Sequence, residues 1–123
     1  MVTATRAQFS SQLPEQALVD SVFHSLSKEE KIAQLMVIRA HSNLGPDHIA
    51  KVTSDIRQYN VGALCFFQGG PVRQAQLTNA YQAMAKTPLM VTIDGEWGVG
   101  MRLDSVTKFP YQLTLGALKD EDL

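Results

Sequence analysis

The sequence predicts an α/β fold built on a parallel sheet, and three observations carry that reading. Three short apolar runs, Leu35 to Ala40, Gly62 to Phe67 and Leu89 to Ile93, begin about 26 residues apart. Each run is apolar at successive rather than alternate positions, the habit of strands buried on both faces of a parallel sheet. The segments between them carry helical periodicity, so the chain reads as repeated right-handed βαβ units. Three strands leave sheet faces and edges uncovered, and a complete (β/α)8 barrel needs about 250 residues. At 123 residues the chain is therefore read as the N-terminal portion of such a TIM barrel: about three βα units preceded by helices.

The elements follow in order. Residues 1–12 are small and polar and are expected to form a disordered arm, leaving 13–123 as one partial barrel domain. From Pro14 a helix is predicted, with Leu18, Val19, Val22, Phe23 and Leu26 as its apolar stripe. Ser27-Lys-Glu-Glu30 is a capping-box signature that opens a second helix through Ile32, Leu35 and Met36. The two helices are expected to pack side by side ahead of the first strand, Leu35 to Ala40. The loop His41 to Pro46 leads into a third helix, with Asp47 in its first turn and Ile49, Val52, Ile56 and Tyr59 at helical spacing. Asn60 is its C-terminal stop. The second strand, Gly62 to Phe67, is followed by Gln68-Gly-Gly-Pro71 and a helix carrying Leu77, Ala80, Tyr81 and Met84 on one face. Pro88 introduces the third strand. Thr107 to Tyr111 reads as a turn, and Leu113 to Leu118 as a short apolar segment before an acidic end.

Composition narrows the function classes. A net charge of −1 gives no electrostatic footprint for nucleic acid, and no apolar run approaches the roughly 18 residues of a membrane span. Cys65 is the only cysteine, so no intrachain disulfide forms, and it sits in an apolar run as a small buried hydrophobe. His24, His41 and His48 lack metal-ligand spacing, and no metal or cofactor is expected. The start, Met1 to Gln8, lacks the apolar core of a secretion signal.

Chemistry concentrates where the third strand ends. Asp94 closes the run, and Gly95, Glu96, Trp97, Gly98 and Gly100 follow before Arg102. A carboxylate at the C-terminal end of a parallel strand, leading into a glycine-rich loop, occupies the position where α/β enzymes place their sites. The competing local reading is an ordinary strand-to-helix connection with a capping Asp. Asp94 and Glu96, two carboxylates two positions apart, taken locally read as a nucleophile and an acid.

Lys31-Ile-Ala-Gln-Leu35, Val61-Gly-Ala-Leu-Cys-Phe-Phe67, Gln76-Leu-Thr-Asn79, Ile93-Asp-Gly-Glu-Trp-Gly98, Arg102-Leu103, Phe109-Pro110 and Leu115-Gly-Ala117 together resemble the N-terminal barrel domain of glycoside hydrolase family 3. The likeness runs from about residue 20 to 123 and is strongest to bacterial β-N-acetylglucosaminidases (β-N-acetylhexosaminidases), in a branch with Glu-Trp-Gly where most members have Glu-Gly-Gly. It implies a retaining hydrolase of β-linked N-acetylhexosamine, with a carbohydrate of the N-acetylglucosamine type as partner. It also implies that Asp94 and Arg102 bind the non-reducing-end sugar, with Glu96 and Trp97 in the site loop. Trp97 then either stacks on a sugar face or plugs the loop against the barrel rim. In the family the nucleophilic aspartate and the proton-donating histidine come from later segments, so this chain is expected to hold no catalytic residue and to be inactive alone. Many members place an arginine where Val99 stands here, which leaves the exact sugar open. A periplasmic or secreted full-length protein is compatible with the resemblance.

Two other readings compete. One is a self-standing α/β binding or signalling module of flavodoxin-like size, supported by the length and by the Gly69-Gly70 turn into a helix, but short of the strands that fold needs. The other is pairing with a second copy, in place of the remainder of the barrel, through the open sheet edge.

Overall fold

The computed structural model describes residues 14–120, so the arm expected over residues 1–12 lies outside the described residues. The elements run α1 (Glu15–Ser25), α2 (Lys28–Ala33), β1 (Val37–Ala40), α3 (Pro46–Tyr59), β2 (Ala63–Phe66), α4 (Pro71–Met84), β3 (Met90–Ile93), a 3-10 turn (Val99–Met101) and α5 (Gln112–Leu115). The strands form one parallel sheet in the order β1-β2-β3, with Ala40, Phe66 and Ile93 side by side in register. This is the mixed α/β architecture that the alternation of periods predicts.

Local chemistry sets the boundaries. Ser27 and Glu30 form the reciprocal capping box, with Glu30 N–H donating to Ser27 Oγ at 3.1 Å and Ser27 N–H to Glu30 Oε2 at 2.8 Å. Lys86 adds an ion pair to Glu30 at 2.6 Å, which holds that carboxyl below the usual range. β1 begins two residues later than expected, because the Leu35 and Met36 N–H groups close the end of α2 on Ile32 and Ala33 carbonyls. Asn60 stops α3 in the left-handed region (φ 56°), a conformation asparagine tolerates better than most residues. Its side-chain amide exchanges two hydrogen bonds with Thr87. Gln82 clamps the Leu89 backbone at both N–H and C=O, fixing where β3 starts.

The core lies on one face of the sheet. Ala40, Leu64 and Phe66 pack against Val52 and Ile56 of α3 and Tyr81 of α4, with Ile38, Val91, Ile93, Leu77 and Met84 around them. Strand alternation then places Val37, Arg39, Ala63, Cys65, Met90 and Thr92 on the opposite face, and no helix of the described residues covers it. The count of elements predicts such an open face, so not every apolar run here is buried on both faces. Only β2 is nearly so, while Val37 of β1 is 59% exposed and Met90 of β3 is 67% exposed. Both outer strands are edges here, and what their second faces require is not supplied by α1–α5.

Two further differences concern the helices. α1 buries none of its residues, and its link to α2 is Lys31 Nζ placed 4.0 Å from the Phe23 ring. Its apolar stripe instead lines an open crevice with Gln34 and Pro88. Ala80, expected on the inward stripe of α4, is exposed.

The Tyr81 hydroxyl is buried without a hydrogen-bond partner. An unsatisfied buried hydroxyl costs about 1–3 kcal/mol, so Tyr81→Phe is expected to leave the melting temperature unchanged or raise it. A clear fall would show that the hydroxyl has a partner.

Candidate functional site

Parallel strands end together at one edge, and the position after each strand lines up across the sheet. Those positions hold His41, Phe67 and Asp94, one step beyond the paired Ala40, Phe66 and Ile93. By alternation they belong to the face that α3 and α4 leave open. Their backbones continue the ladder: Phe67 N–H donates to Ala40 C=O at 2.9 Å and Asp94 N–H to Phe66 C=O at 3.4 Å.

The loops after the strands are tied to one another. Ser42 N–H donates to Gln68 C=O, and its hydroxyl to Gly70 C=O. Gly69 N–H donates to Arg102 C=O at 3.1 Å, and Asp104 N–H to Gly69 C=O at 2.9 Å, a parallel bridge between Gly69 and Leu103. That bridge fixes the Arg102 backbone above the end of β2. Its side chain turns back toward β3, where Nε donates to Asp94 C=O at 2.7 Å and Nη2 to Asp94 Oδ2 at 2.5 Å.

The structure thus brings Asp94 and Arg102 together as a charge-assisted two-point pair. Arg102 is the better covered partner, its side chain 14% exposed against 39% for Asp94. The arginine is committed to one orientation, while the carboxylate keeps Oδ1 for another donor. Glu96 stands exposed at the loop tip, and its main-chain carbonyl accepts from Gln112 Nε2. Trp97 is half-buried and meets Tyr111 edge to face, the ring centres 4.8 Å apart. Gly98, at φ +100°, makes the turn into Val99–Met101 that glycine adopts without strain. Among the described residues no cluster of three or more His, Cys, Asp or Glu is arranged to hold a metal ion.

Sequence reasoning passed over His41, His48 and Phe67. The His41 ring stacks near-parallel on Phe67 at 5.6 Å and meets His48 edge-on at 5.3 Å, and His48 Nε2 accepts the His41 backbone N–H. Arg102 lies over Phe67 at 4.7 Å and Arg39 at 5.8 Å. The signal was available in the repeat itself, since 41, 67 and 94 hold the same place in three successive units. Without the register, His41 read as a loop residue and Phe67 as the end of an apolar run.

Both histidines titrate below the free imidazole. Burial pushes His41 down, helped by Arg39 and His48, with Asn43 pulling weakly the other way; burial and then Arg39 and Lys51 lower His48. As pH falls through about 6.5 the unfolded chain takes up protons first, so this contribution to stability is full above that value and is lost toward the folded-state pKa. His41→Phe, which keeps a ring against Phe67, is expected to flatten the loss of melting temperature between about pH 7.5 and pH 5. Parallel melting curves for parent and variant would contradict the assignment.

Two apolar crevices, one between α2, α3 and the edge of β1 and one under α1, include neither Asp94 nor Arg102. No curated protein matches the chain. The family model described as the glycosyl hydrolase family 3 N-terminal domain matches residues 27–123, which takes in every strand, the Asp94 loop and Arg102. On a match that spans about four-fifths of its length, the chain belongs to glycosyl hydrolase family 3.

Proposed function

We propose that the chain is the N-terminal portion of a (β/α)8 barrel in a retaining glycosidase that removes β-linked N-acetylhexosamine, with 13–123 as its share of that domain. Its part is a sugar-holding half-site. The observation that carries this reading is the Asp94–Arg102 pair at the C-terminal edge of the sheet, on the face the helices leave open. With Oδ2 engaged by Arg102, Asp94 offers Oδ1 to a sugar hydroxyl, and the guanidinium keeps N–H groups beyond the two it spends on Asp94. The pair is neutral overall, so a closed pocket around it desolvates no net charge. Trp97, held by Tyr111, and Glu96 shape the rim of that pocket.

The uncovered sheet face and the two edge strands are what a barrel's interior and seams look like before the remaining units close it. The family membership supports this reading. The partners that follow are an N-acetylglucosamine-type sugar and the remainder of the barrel, with self-association through the open edge when that remainder is missing. No step of bond cleavage is assigned to a residue of this chain. Asp94 is committed to Arg102, and Glu96 sits at an exposed tip.

The test is an assay of the isolated chain beside the full-length enzyme on a chromogenic N-acetyl-β-glucosaminide. The full-length protein is expected to turn over and the chain alone to be inert. Turnover by the pure chain that disappears in Glu96→Gln would overturn the proposal and make Asp94 and Glu96 the catalytic pair.

A further inference from the structure

We infer that Phe67, backed by His41, is a positioning residue that sets the plane of the Arg102 guanidinium for the sugar site. This rests on the half-site reading above and goes beyond it to a residue outside the Asp94 loop.

A guanidinium is planar, so two kinds of contact are needed to fix it. Donation from Nε and Nη2 to Asp94 sets the direction in which the fork points. Hydrogen bonds made from one edge of the plane still allow the group to roll about that edge. The Phe67 ring, 4.7 Å from Arg102 Cζ, meets the guanidinium as a cation–π partner and removes that freedom. Phe67 is itself anchored. Its N–H closes on Ala40 C=O, and its ring stacks on His41 with the planes only 22° apart.

The state of His41 fits that role. Both of its ring nitrogens are shielded from solvent, and Asn43 makes no more than a weak contact with the ring. In the stack on Phe67 the imidazole contributes its face and its volume. Burial first, and then the charge of Arg39, disfavours the protonated ring, which suits a ring stacked beneath the partner of a guanidinium. The residues after β1 and β2 thus brace the arginine that the residue after β3 holds, so all three strand ends act on one fork.

The experiment is a double-mutant cycle in the full-length enzyme, using the chromogenic N-acetyl-β-glucosaminide as substrate. Phe67→Leu, which keeps apolar volume without a π face, is expected to lower kcat/KM about 2- to 30-fold, the span of a cation–π contact. Phe67→Tyr should stay within about 2-fold of the parent, because its ring is retained. In an Arg102→Ala background Phe67→Leu should cost nothing further. The Arg102 Nε–H resonance gives a readout independent of turnover. It is expected to shift and exchange faster in Phe67→Leu, or in Phe67→Met if the leucine variant does not fold. Equal losses from Phe67→Leu in both backgrounds, or an unmoved resonance, would overturn the inference while leaving the half-site intact. An Arg102→Ala variant with unchanged kcat/KM would overturn the half-site reading and this inference with it.

Discussion

Asp94→Ala in the full-length enzyme is expected to cost about 2–4 kcal/mol of transition-state binding, or about 30- to 1000-fold in kcat/KM. Two losses add in this variant. On the proposed half-site the sugar hydroxyl loses its charged acceptor, and Arg102, with a side chain only 14% exposed, loses the carboxylate that aims it. Asp94→Asn should be the milder change, because an amide oxygen still accepts from Nη2. Arg102→Lys should hurt nearly as much as Arg102→Ala. An ammonium cannot reach the Asp94 carbonyl and carboxylate at once with the geometry of a fork, and it has no planar face for Phe67. Steady-state kinetics on one chromogenic substrate, with melting temperatures alongside, separates lost binding from lost folding.

Gly69→Ala is expected to cost about 2–5 kcal/mol of stability, from overpacking combined with backbone strain. The residue is buried at φ +152°, and an added Cβ would lie 1.7 Å from Ser42 Oγ and 2.8 Å from Ser42 Cβ. Ser42 is fully buried and held by the neighbouring loop, so it has nowhere to move. Relief requires Gly69 to leave its bridge with Leu103, and that bridge holds the Arg102 backbone. Activity should therefore fall along with stability. Gly70→Ala is the matched control, since a Cβ there meets nothing within 4 Å, and it should stay within about 1 kcal/mol of the parent. Chemical denaturation of the two variants checks the contrast, and equal stabilities would contradict it.

What the sequence made legible follows from how local each cause is. The capping box at Ser27 and the stop at Asn60 depend on a few neighbouring residues, and each is where the pattern places it. The strands and their parallel order follow from period and spacing. The site loop was visible because Asp94, three glycines and Arg102 lie within nine residues. What stayed hidden depends on register. Val37 and Met90 are as apolar as Leu64 and Phe66, and only the number of strands and helices beside them decides which are covered. Leu35 and Met36 have strand-like side chains, but their N–H groups are claimed by the last carbonyls of α2. His41 and Phe67 touch because β1 and β2 pair with no offset, a fact no window of sequence contains.

The most direct measurement of the central claim compares kcat/KM of the parent and Asp94→Ala enzymes on a matched set of substrates, each lacking one hydroxyl of the non-reducing sugar. If Asp94 holds that sugar, the penalty of the mutation shrinks toward unity on the analogue missing the contacted hydroxyl and stays large on the others, with the melting temperature little changed. A penalty that is the same for every sugar, together with a lowered melting temperature, would make Asp94 and Arg102 a brace for the loop and contradict the account.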